Sequence, residues 1–406
     1  MTRTSTQILE GFAGPGGWSQ GLRDAGHIGT AIGIEHDGDA CATATAAGHT
    51  RVQADVAATD PCQFGPVDGL VMSPPCQAWS MAGKRGGERD RDAVFARMTA
   101  FARGRRPAEH QWADARSALT AEPMRYAHAL RPRWIALEQV PPVLTLWQHA
   151  ASLLRELGYR AWCGVLAAER YGVPQTRRRA ILIARRDAAP ATPPEPTHQE
   201  YRSGREFDSD ADLFGSLLPP PVSMADALGW GLAERPAWTV TAGGTDTGGA
   251  EVFGNFRNRQ QLAALADRQA DVVLRSNYTD GGDLATRTTR TPDEPATTIT
   301  SKVGHWVMRN GSQDNACVRG IDEPAGTIFF GRAANAVEFL EYDGQGRRRV
   351  SVAEAGVLQG FPVDYPWRGT KSAQYRQVGD AVPPPLAAAI LAPLLAHAAN
   401  PAHAAA

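Results

Sequence analysis

The stretch that most constrains the fold is an apolar run followed by a glycine-rich turn near the start of the chain. Residues Gln7 to Gly11 form a short strand candidate, residues Phe12 to Gly17 read Phe-Ala-Gly-Pro-Gly-Gly, and a helical pattern then runs through Leu22. A strand, a glycine turn and a helix open a nucleotide-binding βα unit, in which glycine lets the backbone approach a ligand closely. Such a turn alone is a weak signal, so its meaning depends on the strands that follow.

Acidic residues follow the next two strand candidates. Ile28 to Ile34 reads as a second strand that ends at Glu35, and Asp55 follows Val52 at the end of a plausible third strand. An acidic side chain at such a strand end accepts hydrogen bonds from the hydroxyls of a ribose. Solvated loops and helix caps use the same residue types, so neither carboxylate identifies a ligand by itself.

Cys76 lies just beyond a fourth strand candidate, Val67 to Met72, in the sequence Ser-Pro-Pro-Cys-Gln. Proline fixes its own φ and restricts the residue before it, so the backbone leading into Cys76 can aim the thiol. Most free cysteines are inert core residues, and Cys76 alone would be read that way. In an open α/β sheet, however, ligands bind outside the carboxyl ends of the strands, and this position favours a nucleophile.

Two further strands place charged residues at the same edge. Glu138 ends the apolar run Trp134 to Leu137, where a buried carboxylate is costly unless it is paired or functional. Strand periodicity puts Arg177 and Arg179 on one face and Arg178 on the other, ahead of the strand Ala180 to Ala184. A basic sheet edge that resists aggregation is the alternative interpretation of the arginines.

Residues Gly83 to Asp114 are predicted to form a long loop rich in Gly, Arg and Asp. A long loop without periodicity inside a compact domain is more often functional or disordered than a plain connection. We interpret it as a mobile basic lid beside Cys76, suited to an anionic substrate. Its basic residues are Lys84, Arg85, Arg89, Arg91, Arg103, Arg105 and Arg106.

Composition limits the remaining possibilities. The chain has 406 residues, which is enough for two or three domains. Its formal net charge of -1 argues against indiscriminate binding of polyanions. Its five cysteines are scattered without a Cys-x-x-Cys pair, so neither a disulfide framework nor a metal site is expected. No apolar run is long enough to span a membrane, and the polar start carries no signal sequence, so we expect a cytoplasmic protein.

The middle of the chain breaks the α/β rhythm. Ala188 to Pro221 has the composition of a linker, and loosely repeated proline-led strands follow at residues 235–240, 294–299 and 323–328. The final apolar helix candidate, Leu386 to Leu395, is expected to pack back on the first domain. The predicted domains are 1–187 for catalysis, 188–346 for a small irregular β-rich domain, and 347–406 as a segment that completes the first.

Five segments, in this order, resemble the DNA (cytosine-5) methyltransferases, which use S-adenosylmethionine. Phe12 to Gly17 resembles the family's cofactor loop. Pro75-Cys76-Gln77 resembles its nucleophile motif, and Glu138-Gln139-Val140 resembles its Glu-Asn-Val motif. Residues Gln175 to Arg179 resemble its Gln-x-Arg-x-Arg motif, and residues Gly379 to Pro383 resemble its closing motif. The resemblance implies a Rossmann-like α/β sheet with helices on both faces and a β-rich target-recognition domain in the unmatched middle.

The resemblance also implies a role for each matched residue. Cys76 would add to C6 of a flipped-out cytosine in duplex DNA, with Glu138, Arg177 and Arg179 as the other catalytic residues. S-adenosylmethionine, which leaves as S-adenosylhomocysteine, would be held by Phe12, Gly14, Gly16, Gly17, Glu35, Asp55, Pro75, Asp380, Ala381 and Val382. The DNA would be contacted by Gln77, Ser80 and Gln175. We expect a monomer, with a cognate restriction or phage-defence system as its partner.

Two positions depart from the family pattern. Gln139 replaces Asn beside the glutamate, and Asp380 replaces the Asn of the closing motif. These departures keep open a DNA-binding regulator with weak or lost catalysis, and an RNA (cytosine-5) methyltransferase remains a second rival because that branch shares the catalytic framework. An enzyme that methylates exocyclic amino groups is less consistent with the sequence, because such enzymes place an aromatic residue where Cys76 stands.

Overall fold

The protein is described here by a computed structural model. The structure describes residues 7–79, 86–202, 218–229, 274–275, 289–290, 306–310, 317–320, 322–328, 337–341 and 347–396. Contacts divide the chain into two compact units, Met1–Gly231 with Trp306–Ala406, and Leu232–His305. The sequence places the boundaries of the middle domain elsewhere, at 188 and 346, and that domain assignment stays a prediction.

A seven-stranded sheet forms the centre of the first unit. Its strands are β1 (Ile8–Gly11), β2 (Ala31–Glu35), β3 (Thr50–Gln53), β4 (Gly69–Met72), β5 (Trp134–Gln139), β6 (Arg160–Ala167) and β8 (Arg178–Arg185), with the two-residue β7 (Gln175–Thr176) outside it. The order is β3-β2-β1-β4-β5-β8-β6. Only β8 runs antiparallel to its neighbours, so this is the expected Rossmann-like α/β sheet.

The strand order reverses between β1 and β4, which are parallel neighbours. The chain runs outward from β1 through β2 to β3 and then returns to the other side of β1. Ligands bind at such a switch point, outside the carboxyl ends of the strands. The glycine turn after β1 and the Cys76 segment after β4 both lie there.

Helices cover both faces of the sheet. They are α1 (Gly17–Asp24), α2 (Gly38–Ala46), α3 (Gly86–Ala102), α4 (Glu122–Leu130), α5 (Leu144–Glu156), α6 (Met224–Ala227), α7 (Val352–Leu358), α8 (Lys371–Asp380) and α9 (Pro384–Ala396). One apolar cluster joins β4 and β5 to α3, α4 and α5, and a second joins β1 and β5 to α1 and α9. The expectation that the last helix packs back on the first domain is confirmed.

The last helix needs a glycine at its contact with α1. A Cβ added at Gly21 would lie 2.5 Å from the Cβ of Ala387, so the two helices approach more closely than any side chain at that position would permit.

In the described ranges no single helix is long and apolar enough to span a membrane. The pair α8 and α9, bent by 41°, would be long and apolar enough by length and composition alone.

The predicted long loop is largely a helix. α3 runs from Gly86 to Ala102 and buries Val94, Met98 and Phe101 against the sheet, at a helical spacing that the surrounding Arg and Asp residues conceal. The sequence prediction was therefore wrong for these 17 residues. It also missed the edge strand β6, whose side chains are mostly half-exposed.

The segment after residue 300 contributes a small second sheet to the first unit. Its strands are β11 (Trp306–Asn310), β12 (Cys317–Gly320), β14 (Val337–Glu341) and β15 (Arg347–Arg349), in the order β12-β11-β14-β15 and all antiparallel. Between them β13 (Ala325–Gly326) pairs in parallel with β7. Two residues at each of β9 (Leu274–Arg275) and β10 (Thr289–Arg290) form an antiparallel pair in the second unit. The proline-led repeats at 235–240 and 294–299 lie outside the described residues.

Candidate active site

The glycine turn after β1 has a backbone that ordinary residues adopt only under strain. Phe12 has φ of 56°, and Gly14 and Gly16 have φ of 54° and 114°. A left-handed residue other than glycine costs energy and is found where the surroundings demand it, often beside a ligand. Space remains open beside Gly14, since a Cβ built there would meet no atom within 4 Å.

The two carboxylates expected to bind the cofactor lie near this turn but have different surroundings. Glu35 is buried, and its Oε2 accepts a hydrogen bond from the N–H of Gly14 at 2.9 Å, while Oε1 accepts from the N–H groups of His36 and Asp37. Asp55 is exposed and uses Oδ1 to accept from the N–H of Ala57 at 2.8 Å. Glu35 therefore fixes the turn, and both carboxylates keep lone pairs for further donors.

The Cys76 segment is held from behind by the residue that departs from the family pattern. Gln139 is buried at the end of β5, and its Nε2 donates to the carbonyl of Pro74 at 2.7 Å. Its Oε1 accepts from the N–H of Val140 at 2.5 Å. The longer amide of glutamine thus spans the distance to the Cys76 segment.

Glu138 and Arg179 form a buried ion pair at the same edge. Arg179 Nε lies 2.8 Å from Glu138 Oε1, and the two side chains are 10% and 9% exposed. Glu138 pairs with Ile181 across the β5–β8 ladder, so Arg179, two residues away, is its diagonal neighbour on the same face. Arg178 is exposed, as the predicted alternation of faces requires.

Arg177 is buried more deeply than its predicted catalytic role would suggest. Its side chain is 1% exposed, and Nη2 donates to the carbonyls of Gly379 at 2.9 Å and Ala381 at 3.1 Å. Burial lowers the pKa of Arg177 to about 9, which leaves the guanidinium charged at neutral pH. Arg177 therefore joins the strand β8 to the closing segment of the chain.

Charges of both signs surround the thiol of Cys76. Burial, followed by the negative charge of Asp380, raises the pKa of Cys76 to about 11. Arg179 and Arg177 act in the opposite direction, and Glu138 adds to the rise. Asp380 is open to solvent at the cleft, yet its own pKa is raised, chiefly by the protein that surrounds it. In the resting protein the thiol is protonated at neutral pH.

The structure does not bring every predicted residue to the cleft. Gln175 is fully buried, and its amide bonds to Gln359 Oε1, the carbonyl of Leu358 and the N–H of Ile328. These contacts account for its whole side chain within the protein and give its predicted DNA contact no support. Gln77 is half-buried beside Cys76. Ser80, with Lys84 and Arg85, lies outside the described residues.

The arginines at the far end of the predicted lid are also away from the cleft. α3 starts beside Trp79, near Cys76, and its 17 residues extend for about 25 Å. It ends next to His128 of α4, whose Nδ1 lies 2.9 Å from the carbonyl of Ala102. α4 leads into the start of β5, so Arg103, Arg105 and Arg106 lie toward the opposite edge of the sheet and not beside Cys76, where the predicted lid would place them.

Sequence reasoning missed two residues that complete the site from the C-terminal segment. Gln359 is fully buried and donates from Nε2 to the carbonyl of Ala381 at 2.6 Å. The hydroxyl of Tyr365 donates to the carbonyl of Pro15 in the glycine turn at 2.6 Å. The sequence Gln-Gly-Phe-Pro that starts at Gln359 is typical of a helix end, but nothing local indicates its partners.

Two further close contacts pack the C-terminal segment against the glycine turn. A Cβ added at Gly17 would lie 2.2 Å from the carbonyl oxygen of Val382, so the closing segment rests directly on the start of α1. A Cβ at Gly16 would lie 2.6 Å from the hydroxyl of Tyr365. Glycine is required in the turn both for its φ angles and for this close packing.

Comparison with known proteins agrees with this arrangement. The chain is 26% identical over 402 residues to the type II methyltransferase M1.HphI of Haemophilus parahaemolyticus, covering 95% of this chain and 86% of that protein. It is 25% identical over 447 residues to the type II methyltransferase M.AgeI of Thalassovita gelatinovora, covering 95% and 98%. The fold resembles that of a DNMT2 variant of Spodoptera frugiperda, with a TM-score of 0.54, 14% identity, and coverage of 96% and 100%.

The family assignment rests on a match over nearly the whole chain. Residues 6–396 match the family described as C-5 cytosine-specific DNA methylase, which is nearly the whole chain. The protein therefore belongs to this family of S-adenosylmethionine-dependent DNA (cytosine-5) methyltransferases.

Proposed function

We propose that this protein methylates C5 of a cytosine in a specific duplex DNA sequence, through a covalent bond between Cys76 and C6. The observation that carries the proposal is the meeting of Cys76, Glu138 and Arg179 at the carboxyl edge of the sheet, beside the glycine turn. The names of the type II relatives support a role in restriction–modification with a cognate nuclease. Duplex DNA is the proposed partner, and the protein acts as a monomer.

The residues of the switch point suit S-adenosylmethionine. Glu35 and Asp55 retain lone pairs for hydroxyl or amino donors, Phe12 offers a half-exposed ring, and the space beside Gly14 is open. Gly16, Gly17, Pro75, Asp380, Ala381 and Val382 complete the proposed lining. When bound, the cofactor supplies an electrophilic methyl group, whose bond to sulfur breaks as its bond to C5 forms.

Cytosine must first be made nucleophilic at C5. The Cys76 thiolate adds to C6, which moves an electron pair toward C5 and negative charge toward N3. Arg179 already engages Oε1 of Glu138, so Oε2 is the oxygen left to carry a proton and donate it to N3, and the proton returns to Glu138 when Cys76 is expelled. After methyl transfer, a base removes the C5 proton, the double bond reforms, and the C6–S bond breaks with its electron pair returning to sulfur. A water molecule serves as that base.

The thiol must lose its proton when the substrate arrives. With a pKa near 11 in the resting protein, Cys76 is protected from adventitious reaction at neutral pH. Of the charges that lower the pKa of Cys76 and so favour the thiolate, Arg179 has the largest effect, and a nucleotide that pairs with Glu138 would leave the charge of Arg179 less compensated by the carboxylate. Cytosine inside a stacked duplex cannot reach this site, so the base must be flipped out.

The test is covalent trapping with a duplex that contains 5-fluorocytosine. Fluorine at C5 blocks the final proton removal, so a protein–DNA adduct that survives denaturation is expected with S-adenosylmethionine. Cys76→Ala should give no adduct, and Cys62→Ala, which removes an exposed cysteine elsewhere, should give as much as wild type. Glu138→Gln should slow adduct formation.

The same assay separates the rivals. An adduct that persists in Cys76→Ala would disprove the covalent mechanism, and an adduct on RNA but not DNA would select the RNA methyltransferase. Specific DNA binding with neither adduct nor methyl transfer would indicate a regulator. Bisulfite sequencing of DNA from an expressing host would then give the recognition sequence. The cognate nuclease would be identified as the one that cuts DNA at this sequence when methylation in that host is lost.

A further inference from the structure

A row of residues crosses three neighbouring strands behind the glycine turn. Glu10 of β1 is in register with Gly33 of β2, and Gly33 is in register with Arg51 of β3. Strands lie about 4.8 Å apart, so the backbones at the two ends of the row are separated by about 10 Å. Both end residues are ionisable, and Glu10 is only 1% exposed.

Gly33 leaves the space through which Arg51 reaches across the sheet. A Cβ built at Gly33 would lie 2.4 Å from Nη1 of Arg51 and 2.7 Å from the Cβ of Ala13. Glycine weakens a strand interior and often marks a place where another group approaches closely. Here the approaching group is the guanidinium of Arg51.

The guanidinium ends at the glycine turn. Nε of Arg51 donates to the carbonyl of Gly14 at 3.3 Å, and Nη2 lies 3.5 Å from the carbonyl of Ala13. Nη2 also donates to Oγ of Ser19 in α1 at 2.9 Å. One side chain from β3 thus contacts both the turn and the helix that follows it.

Ser19 connects Arg51 to the buried carboxylate. Its hydroxyl donates to Oε1 and Oε2 of Glu10 at 2.8 and 2.9 Å while it accepts from Arg51. Burial raises the pKa of Glu10, and the charge of Arg51 lowers it. Removing one partner of such a buried network leaves the other uncompensated, so the members hold one another in place.

We propose that Arg51 is a positioning residue for the cofactor: with Glu10 and Ser19 it holds the carbonyls of Ala13 and Gly14 so that the turn keeps its ligand-binding shape. This inference rests on the proposed function, since it assumes that the turn binds S-adenosylmethionine. Arg51 lies behind the turn and touches neither Cys76 nor Glu138 through any described contact. Its loss should therefore affect cofactor affinity and leave the chemical step intact.

Calorimetric titration with S-adenosylhomocysteine tests this directly. Arg51→Met should raise Kd about 10- to 100-fold, the range for losing hydrogen bonds to a charged group, and Ser19→Ala should raise it less. Arg23→Met is the matched control, because it removes the same charge from α1 at a side chain that bonds to Ala47 rather than to the turn. It should bind as wild type does.

Kinetics distinguish positioning from general damage. In Arg51→Met the KM for S-adenosylmethionine should rise while kcat at saturating cofactor and affinity for DNA stay close to wild type. In a Glu10→Gln background, Arg51→Met should cost less affinity than in wild type, since the two act through Ser19. A fall in kcat by a factor as large as the rise in KM would indicate a broader structural role and overturn the inference.

Unchanged affinity in Arg51→Met, or an equal loss in Arg23→Met, would also overturn it. Should Arg51→Met fail to fold, Arg51→Lys and Ser19→Ala decide the question, and wild-type affinity in both would refute the proposal. If wild type binds S-adenosylhomocysteine tightly but forms no DNA adduct, the proposed function is refuted and this inference is not. A loss of cofactor affinity confined to the Arg51 and Ser19 variants would still support the inference.

Discussion

Cys76 is expected to titrate far above an ordinary cysteine in the resting protein. Its pKa is raised from 9.0 to about 11, with burial as the main cause and Asp380 as the next. At pH 8 roughly one thiol in ten would be ionised with a pKa of 9.0, and roughly one in a thousand with a pKa of 11. Because only the thiolate reacts with an alkylating agent, Cys76 should be alkylated about 100-fold more slowly than such an ordinary thiol.

The perturbation that tests the cause is Asp380→Asn, which restores the amide of the family's closing motif. A neighbouring carboxylate disfavours the thiolate, so its removal must lower the pKa of Cys76 and shift the alkylation profile to lower pH. Asp364→Asn is the control, because this exposed carboxylate is not among the charges that act on Cys76. Adduct formation with 5-fluorocytosine DNA should shift in the same direction in Asp380→Asn.

The assay is pulse alkylation with iodoacetamide between pH 7 and pH 11.5, followed by mass spectrometry of the peptide that contains Cys76. The exposed Cys62 reports in the same digest that the reagent is active. A midpoint at or below 9 would refute the conclusion that burial keeps the thiol neutral. A profile that does not move in Asp380→Asn would show that this carboxylate is not coupled to the thiol.

Two further predictions concern packing around the cleft. Gln139→Ala leaves the buried carbonyl of Pro74 without its donor, so we expect a loss of about 1–3 kcal/mol in unfolding free energy and slower adduct formation, measured by urea titration and the trapping assay. Gly17→Ala should cost about 1–3 kcal/mol in the same titration, because its Cβ would lie 2.2 Å from the Val382 oxygen. The Cβ added by Gly14→Ala would meet no neighbour, so this variant should lose only the cost of backbone strain, about 1–2 kcal/mol of unfolding free energy. Unfolding curves equal to that of wild type for both glycine variants would contradict these two predictions.

The parts of the site that lie at strand ends could be predicted from sequence. The turn after β1, Cys76 after β4 and Glu138 at the end of β5 each follow a short apolar run, and the rule for open α/β sheets brings such positions to one edge. The alternation of Arg177, Arg178 and Arg179 followed from strand periodicity alone. These inferences needed only local patterns and one topological rule.

The helix α3 could not be recognised because its apolar stripe is narrow. Val94, Met98 and Phe101 have helical spacing, but Arg89, Arg91 and their acidic neighbours dominate the composition around them. A helix that packs along a single face needs few apolar residues per turn, and the rest of its surface can be fully polar. Charge was therefore mistaken for the absence of structure.

Partners distant in sequence were also beyond reach. Gln175 bonds to a residue 184 positions away, and Arg177 to residues 202 and 204 positions away. Polar side chains of this kind look like substrate ligands in a sequence, because nothing local shows that another part of the protein already bonds to them. For Gln175 and Arg177 the structure adds these long-range bonds, and their predicted roles stay predictions.

The closing segment explains why a deeply buried arginine is stable at this site. Arg177 is 1% exposed, and the carbonyls of Gly379 and Ala381 are the acceptors that compensate its charge. A chain that lacked these residues would lose both acceptors, and a hydrogen bond to a charged group contributes about 1.5–3 kcal/mol. The same segment brings Ala381 to Gln359 and Val382 to Gly17, so the cofactor turn and the catalytic strand share one support. Because Arg177 and Gly379 are 202 positions apart, this support forms only when two segments distant in sequence come together.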